Sequence, residues 1–75
     1  MEKRIVDYIR EEVDMDEVYL ALKYMEKNRC PLELACGGLY DQIYDLLEEY
    51  GQDNDLPEGW WESEFEIEDV LFELV

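Results

Sequence analysis

The sequence predicts an all-α protein, a small compact bundle of three to five short helices that forms a single domain over residues 1–75. Three observations lead to this prediction. Of the 75 residues, 48% are apolar and 13% are aromatic, which is enough for one modest core in a chain of this length. The apolar residues recur at intervals of three and four, which is helical spacing. Glycine and proline interrupt these runs, so each helix should be short.

Two helices are predicted in the first 28 residues. An apolar stripe predicts the first, over residues 2–13: Ile5, Val6, Ile9 and Val13. Asp14 followed by Glu17 resembles an N-cap with a capping box, so we expect a second helix to begin near Met15. One uninterrupted helix over residues 2–28 is the alternative, because neither glycine nor proline separates the two. We favour two helices or a kink.

The helix predicted over residues 15–28 has apolar side chains on two faces. Leu20 and Tyr24 lie nearly opposite the larger apolar face, which consists of Val18, Ala21, Leu22 and Met25. A helix of this kind is either central in the fold or offers its second face to a partner. We favour the central position.

A short helix is predicted over residues 31–35, because Pro31 suits the first turn of a helix and the glycine pair beginning at Gly37 should end it. Cys30 and Cys36 flank this segment and are the only cysteines. We expect reduced thiols, at least one of them packed as a small apolar side chain.

The two remaining helices are predicted from their apolar faces. Helix 39–50 carries Leu39, Ile43, Leu46, Leu47 and Tyr50, with Gly51 as its expected C-terminal cap. Turn-forming residues predict a loop over residues 52–59. The final helix ends at or near the C-terminus and carries Ile67, Val70, Leu71, Leu74 and Val75. Alternating glutamates over residues 62–68 fit a short strand instead, but a lone strand has nothing to pair with.

The available side chains argue against an enzyme. The chain contains no histidine and no threonine, and Ser63 is its only serine. A nucleophile activated by imidazole and a histidine-ligated metal are therefore both excluded. We expect no catalytic residue, no cofactor and no metal site.

One acidic loop matches a calcium-binding pattern only in part. Asp53, Asp55 and Glu64 fall at positions 1, 3 and 12 of an EF-hand loop. Pro57 offers no side-chain ligand at position 5, and Glu58 stands at position 6, where glycine is required. We therefore expect no calcium site here.

Charge is distributed very unevenly along the chain. Residues 1–29 contain all six basic residues and eight carboxylates, a net charge of −2. Residues 30–75 contain fourteen carboxylates and no basic residue, a net charge of −14. Self-repulsion of this kind is screened by salt, so we expect stability to rise with added salt or with mild acidification from pH 7.

The predicted helices arrange these carboxylates in rows. On helix 39–50, Asp41, Asp45 and Glu48 or Glu49 lie opposite the apolar face, about 6 Å apart along the axis. Phosphates along one DNA strand have a similar spacing, and the final helix is expected to repeat the pattern. The candidate partner-binding carboxylates are Asp41, Asp45, Glu48, Glu49, Glu62, Glu66, Asp69 and Glu73. The alternative is an ordinary solvated face that serves solubility, although such surfaces normally mix both signs of charge.

Trp60 and Trp61 are further candidate partner-binding residues. Adjacent side chains on a helix or strand do not both face one core, so one of the two indole rings can be exposed to solvent. Exposed tryptophan is typical of binding hot spots. The alternative is that both rings cover the open end of the bundle below Leu56 and Pro57. We favour that alternative.

Residues 48–61, together with residues 28–33, resemble a group of short uncharacterised acidic helical proteins encoded in gut-bacterial genomes, often near mobile elements. The similarity covers most of the chain. It implies a bacterial cytoplasmic setting and brings no known activity.

The leading functional hypothesis is a small, acidic, non-enzymatic binding protein whose partner is basic. In its sharpest form it is a nucleic-acid mimic that occupies the basic site of a DNA- or RNA-binding protein. The alternative is a helical protein–protein interaction module that binds through an apolar and tryptophan surface. Residues 1–4 lead into a polar helical pattern instead of an apolar leader, so we expect a cytoplasmic protein. Because anionic membrane surfaces and phosphates repel its negative charge, we expect it to bind neither membranes nor nucleic acid directly.

Overall fold

A computed structural model describes residues 2–75, and within this range the chain forms five helices and no strand. The helices are α1 (Lys3–Glu12), α2 (Met15–Asn28), α3 (Leu32–Ala35), α4 (Gly37–Asp53) and α5 (Ile67–Leu74). The predicted all-α fold is confirmed. The strand considered for residues 62–68 is not formed.

α1 and α2 are separate helices, as predicted. Val13 is buried and extended (φ −98°, ψ 154°), which ends α1. Asp14 then caps α2, because its side chain accepts a hydrogen bond from the backbone N–H of Asp16 at 2.9 Å. The predicted capping box is wrong: the carboxylate of Glu17 instead accepts a hydrogen bond from the thiol of Cys36 at 3.3 Å.

α2 lies at the edge of the fold, so the prediction of a central helix is wrong. It packs mainly against α3, and its inner face buries Val18 and Ala21. Leu20 and Tyr24 on the other face remain 69% and 51% exposed. α1, α3, α4 and α5 pack against one another around most of the core, and among residues 2–75 no element covers the second face of α2.

The boundary between α3 and α4 also differs from the prediction. The glycine pair does not end the short helix, because Cys36 ends it with φ −155° and ψ 84°, and Gly37 begins α4. Pro31 was predicted as the first residue of the short helix, but it is the N-cap, and α3 begins one residue later, at Leu32. Cys30 and Cys36 are free thiols, and Cys36 packs against the core.

The predicted apolar faces of the last two helices form much of the core. α4 contacts α1, α3 and α5, and α1 also contacts α5. The buried apolar side chains of these helices are Ile5, Val6, Ile9, Leu39, Ile43, Leu46, Leu47, Ile67, Val70, Leu71 and Leu74. Val75 was expected on the same face but is 56% exposed, because α5 ends at Leu74.

α4 continues past the predicted end at residue 50 and stops at Asp53. Gly51 is therefore a buried residue inside the helix and not its cap. Residues 54–66 then form a series of turns, in which Gly59 has a positive φ of 71°. α5 begins only at Ile67, so this connection is longer than the predicted loop.

Candidate functional site

Four exposed carboxylates form a row along the outer side of α4. Asp41, Asp45 and Glu49 were predicted, and Asp53 continues the same spacing of four residues. With a rise of 1.5 Å per residue, neighbours are about 6 Å apart along the axis and the row is about 18 Å long. The sequence does not indicate Asp53 as part of this row, because Gly51 predicts the end of the helix. We call these four residues the acidic row.

The acidic row forms no salt bridge with any of residues 2–75. The ion pairs in that range join Arg4 to Glu2 and Arg10 to Asp7, all on or next to α1. Within the row, Glu49 accepts a long hydrogen bond of 3.4 Å from the hydroxyl of Tyr8. The carboxylates of the row are therefore available to cations from outside the molecule.

Glu48 has a different role from its neighbours, although it was predicted in the same row. It is half-buried, and its carboxylate accepts hydrogen bonds from the backbone N–H of Gly59 and from Nε1 of Trp61, each at 3.1 Å. Charge-assisted bonds of this kind stabilise a fold more than neutral ones. Glu48 therefore anchors the turns after α4 to the helix.

The four C-terminal candidates do not form a second helical row. Glu62 and Glu66 precede α5, and Asp69 and Glu73 lie within it. The carboxylate of Asp69 accepts a hydrogen bond from the backbone N–H of Glu66 at 3.0 Å, which stabilises the first turn of α5. The expected repetition of the pattern on one helix is wrong, because the turns extend to residue 66.

Both tryptophans pack against the rest of the protein. Trp61 is only 5% exposed, and Trp60 is half-buried with its Nε1 donating a 2.9 Å hydrogen bond to the carbonyl oxygen of Leu47. Their rings stack or meet edge-on with those of Tyr44, Tyr50 and Phe65, at centroid distances of 5.4–6.2 Å. The indoles therefore pack between α4 and the turns that follow it.

A solvent-open cleft of about 630 Å³ brings three of the predicted residues together with residues that the sequence did not single out. It lies beside Trp60, Asp69 and Glu73, and its remaining lining residues are Glu2, Ile5, Leu56, Glu64, Phe65 and Phe72. Carboxylates and aromatic rings thus meet in one concavity. The sequence carries no local signal for it, because its residues come from the start of the chain, the turns and α5.

The electrostatic effect of the carboxylates is visible at three tyrosines. Partial burial raises the pKa of Tyr8, Tyr40 and Tyr44 above its ordinary value, and nearby carboxylates raise each pKa further. For Tyr40 these carboxylates belong to four different parts of the chain: Glu33, Glu68, Asp41 and Glu62. Tyr44 experiences Glu48, Glu62 and Glu58. Carboxylates from several parts of the chain therefore lie near Tyr40 and Tyr44 on α4.

The described residues contain neither a metal-binding cluster nor a helix that could span a membrane. Residues 2–75 bring together no group of three or more cysteine, aspartate or glutamate side chains suited to a metal ion. In the same range, every helix is too short or too polar to cross a membrane. What the geometry offers is a row of exposed carboxylates on α4 and an open cleft lined by carboxylates and aromatic rings.

Comparison of the chain with protein-family models, with curated proteins and with solved structures finds no match. The resemblance to short acidic bacterial proteins therefore stays a prediction, and the functional argument depends on the geometry.

Proposed function

We propose that this protein is a small, acidic, non-enzymatic binding protein that occupies the basic nucleic-acid-binding surface of another protein. The observation that carries the proposal is the acidic row on α4: carboxylates at regular intervals on one face of a 17-residue helix, without a salt bridge to any of residues 2–75.

The physical basis is recognition of a regular array of negative charge. Proteins bind duplexes chiefly through phosphate charges, and much of the affinity comes from releasing counterions from that array. A protein surface imitates the array when its carboxylates are held at a similar spacing on a rigid element, because mobile charges would lose entropy on docking. α4 is the longest helix of the fold and packs against three others, which supports this rigidity.

The cleft beside Trp60 offers a second contact for the same partner. Arginine and lysine side chains bind favourably where carboxylates and aromatic faces are close together. Asp69, Glu73 and Phe72 supply these groups at the rim. A cationic side chain of the partner would bind in this cleft in addition to the contacts with the acidic row.

The test compares two double charge reversals that change the net charge equally. Asp41→Lys with Asp45→Lys removes half of the acidic row, whereas Glu11→Lys with Glu26→Lys alters exposed positions on the helices that already carry cations. Each variant changes the net charge from −16 by four units. The immobilised proteins are incubated with an extract of the cells that encode the chain and washed at about 50 mM and about 500 mM NaCl.

The expected result is a nucleic-acid-binding protein that the wild type retains at low salt and releases at high salt, and that duplex DNA or RNA displaces. The α4 variant should lose this protein while the control variant retains it, and circular dichroism should show the same helix content in both. Retention that is equal at both salt concentrations, together with failure of nucleic acid to compete, would contradict the proposal.

A second candidate function is favoured by the exposure of Leu20 and Tyr24 on α2. In this case the protein is an interaction module that binds through an apolar surface, and its charge serves solubility. The tryptophans lend this candidate little support, since Trp61 is buried and Trp60 is half-buried. Binding that survives high salt and is lost on substituting Leu20 would favour this function over the first.

A further inference from the structure

The outer face of α2 combines exposed apolar residues with an ordered arrangement of charge. Glu17, Leu20, Tyr24 and Lys27 follow one another at intervals of three, four and three residues, the spacing of a coiled-coil seam. Glu17, at the acidic end, is half-buried and also accepts the hydrogen bond from the Cys36 thiol. Leu20 and Tyr24 form the middle of this stripe and are 69% and 51% exposed. We call these four residues the outer stripe of α2.

The two ends of α2 carry opposite charge. The acids at its start are Asp14, Asp16 and Glu17, and the bases toward its end are Lys23, Lys27 and Arg29, with Glu26 as the one acid among them. On the outer stripe, an acidic end, an apolar centre and a basic end therefore follow in order. A surface with this order is complementary to itself when it is turned through 180°.

We propose that α2 pairs in an antiparallel manner with α2 of a second copy of this protein, about a two-fold axis that passes between Leu20 and Tyr24. In this register Leu20 packs against Tyr24 of the second copy, and Lys27 lies opposite Glu17 and beside Asp16 of that copy. Two-fold symmetry repeats each contact once. A parallel pairing would place Lys27 against Lys27 and Asp16 against Asp16, so the charges select the antiparallel arrangement.

The charge distribution explains why the occupant is a second copy and why it binds here. Two molecules of net charge −16 repel each other, most strongly through residues 30–75. Residues 14–30 contain four carboxylates and three basic residues, a net charge of only −1. The outer face of α2 is therefore a surface on which a second copy meets little net repulsion and gains both apolar and charge contacts.

The expected dimer is reversible and leaves the acidic row free. Two helices of 14 residues, each about 21 Å long, bury less than the roughly 1,200–2,000 Å² of a standard interface. No residue of the acidic row belongs to α2. The pairing would present two acidic rows in one particle, which raises the apparent affinity for a partner with repeated basic sites.

Sedimentation equilibrium of the purified wild type tests the proposal directly. Measurements run from about 10 μM to about 1 mM protein, in about 150 mM NaCl, where the Debye length is about 8 Å. The weight-average mass should rise with concentration from 9.1 kDa toward twice that value. A constant monomer mass over the whole range would overturn the proposal.

A first pair of variants tests the apolar centre of the stripe. Leu20→Ala with Tyr24→Ala should weaken self-association at least about 100-fold, since the symmetry removes each side chain twice. Val75→Ala is the matched control, because Val75 is also exposed but lies beyond α5, and it should leave the mass profile unchanged. Circular dichroism confirms the fold of both variants. Equal self-association of the two variants would overturn the assignment to α2.

A second set of variants tests the antiparallel register. Lys27→Glu should weaken the dimer about 5- to 30-fold, whereas Lys3→Glu, with the same change of net charge on α1, should have a much smaller effect. Adding Asp16→Lys to Lys27→Glu exchanges the charges of Lys27 and of the Asp16 that lies beside it in the second copy, and should restore self-association. If the Lys27→Glu variant self-associates as strongly as the Lys3→Glu variant, or if the double variant stays monomeric, the proposed pairing is wrong.

Discussion

At the scale of single residues, Gly51 determines how the turns after α4 meet the core. It lies inside the helix and is buried. A Cβ atom at this position would come within 2.6 Å of Cδ1 and Nε1 of Trp60, closer than van der Waals contact permits. Glycine is present here because an aromatic ring needs the space, not because a turn needs a positive φ.

We predict that Gly51→Ala destabilises the protein by about 1–3 kcal/mol, the usual cost of overpacking a core. The added methyl group pushes Trp60 away and weakens its hydrogen bond to Leu47. Urea unfolding monitored by tryptophan fluorescence measures the effect. Gly38→Ala is the control, because its Cβ would meet nothing within 4 Å, and it should leave stability unchanged or raise it by about 0.4–1 kcal/mol. Equal stability of the two variants would refute this explanation.

At the scale of helices, α5 depends on α1 for its C-terminal end. α5 has eight residues, too few for an isolated helix to be stable in water. The guanidinium of Arg10 donates hydrogen bonds to the carbonyl oxygens of Leu74 at 3.1 Å and of Glu73 at 3.4 Å. A cation at this end of a helix also interacts favourably with the helix dipole. One arginine therefore connects the first and last helices.

We predict that Arg10→Met lowers the free energy of unfolding by about 0.5–2 kcal/mol, because the carbonyl groups at the end of α5 lose their donor. Methionine retains most of the aliphatic contacts. Arg4→Met is the matched control, since Arg4 forms only an exposed pair with Glu2 and should change stability by less than about 0.5 kcal/mol. Urea titrations of both variants measure this difference. A decrease in the free energy of unfolding for Arg4→Met as large as that for Arg10→Met would contradict the prediction.

At the scale of the whole molecule, the net charge of −16 opposes folding. The molecule measures 38 × 21 × 19 Å, whereas the Debye length is about 30 Å at 0.01 M salt and about 10 Å at 0.1 M. At low salt, carboxylates on opposite sides of the protein therefore repel one another. At higher salt, only near neighbours do so.

We predict that the melting temperature rises steeply as NaCl is raised from about 0.01 M to about 0.1 M and more slowly above that range. A gain of about 1 kcal/mol corresponds to about 4–8 °C for a domain of this size. The variant with Asp41→Asn and Asp45→Asn carries two fewer charges and should show a shallower salt dependence. A melting temperature that does not change with salt would show that the repulsion is negligible.

High pH should destabilise the protein through its tyrosines. The pKa of Tyr8, Tyr40 and Tyr44 is raised in the folded state, whereas the unfolded chain has the ordinary value of about 10. Because the folded state then binds more protons, stability is complete below pH about 10 and falls as the pH rises through the folded-state values. Urea midpoints at increasing pH should show this fall, and replacing the three tyrosines with phenylalanine should reduce it. If the stability of the triple variant falls equally steeply with pH, groups other than these tyrosines cause the loss.

Of the candidate functional surface, only the part whose residues all lie on one helix was predictable from the sequence. The spacing of Asp41, Asp45 and Glu49 placed them on one face, because helical periodicity is a local property. Glu48 fits the same pattern but binds the backbone of Gly59 and the indole of Trp61, which approach it only in the folded chain. The cleft beside Trp60 combines residues from both ends of the sequence, so no local pattern indicates it.

The sequence by itself determined the all-α fold, the separation of α1 from α2 and the apolar faces of the helices that form the core. These follow from the spacing of apolar residues and from the N-cap at Asp14, which act over a few neighbouring residues. Only the tertiary structure decided that α4 continues through Gly51 and that Leu20 and Tyr24 remain exposed. The reason is that Gly51 accommodates Trp60, nine residues further along the chain, and that the coverage of α2 depends on how the other helices fill the core.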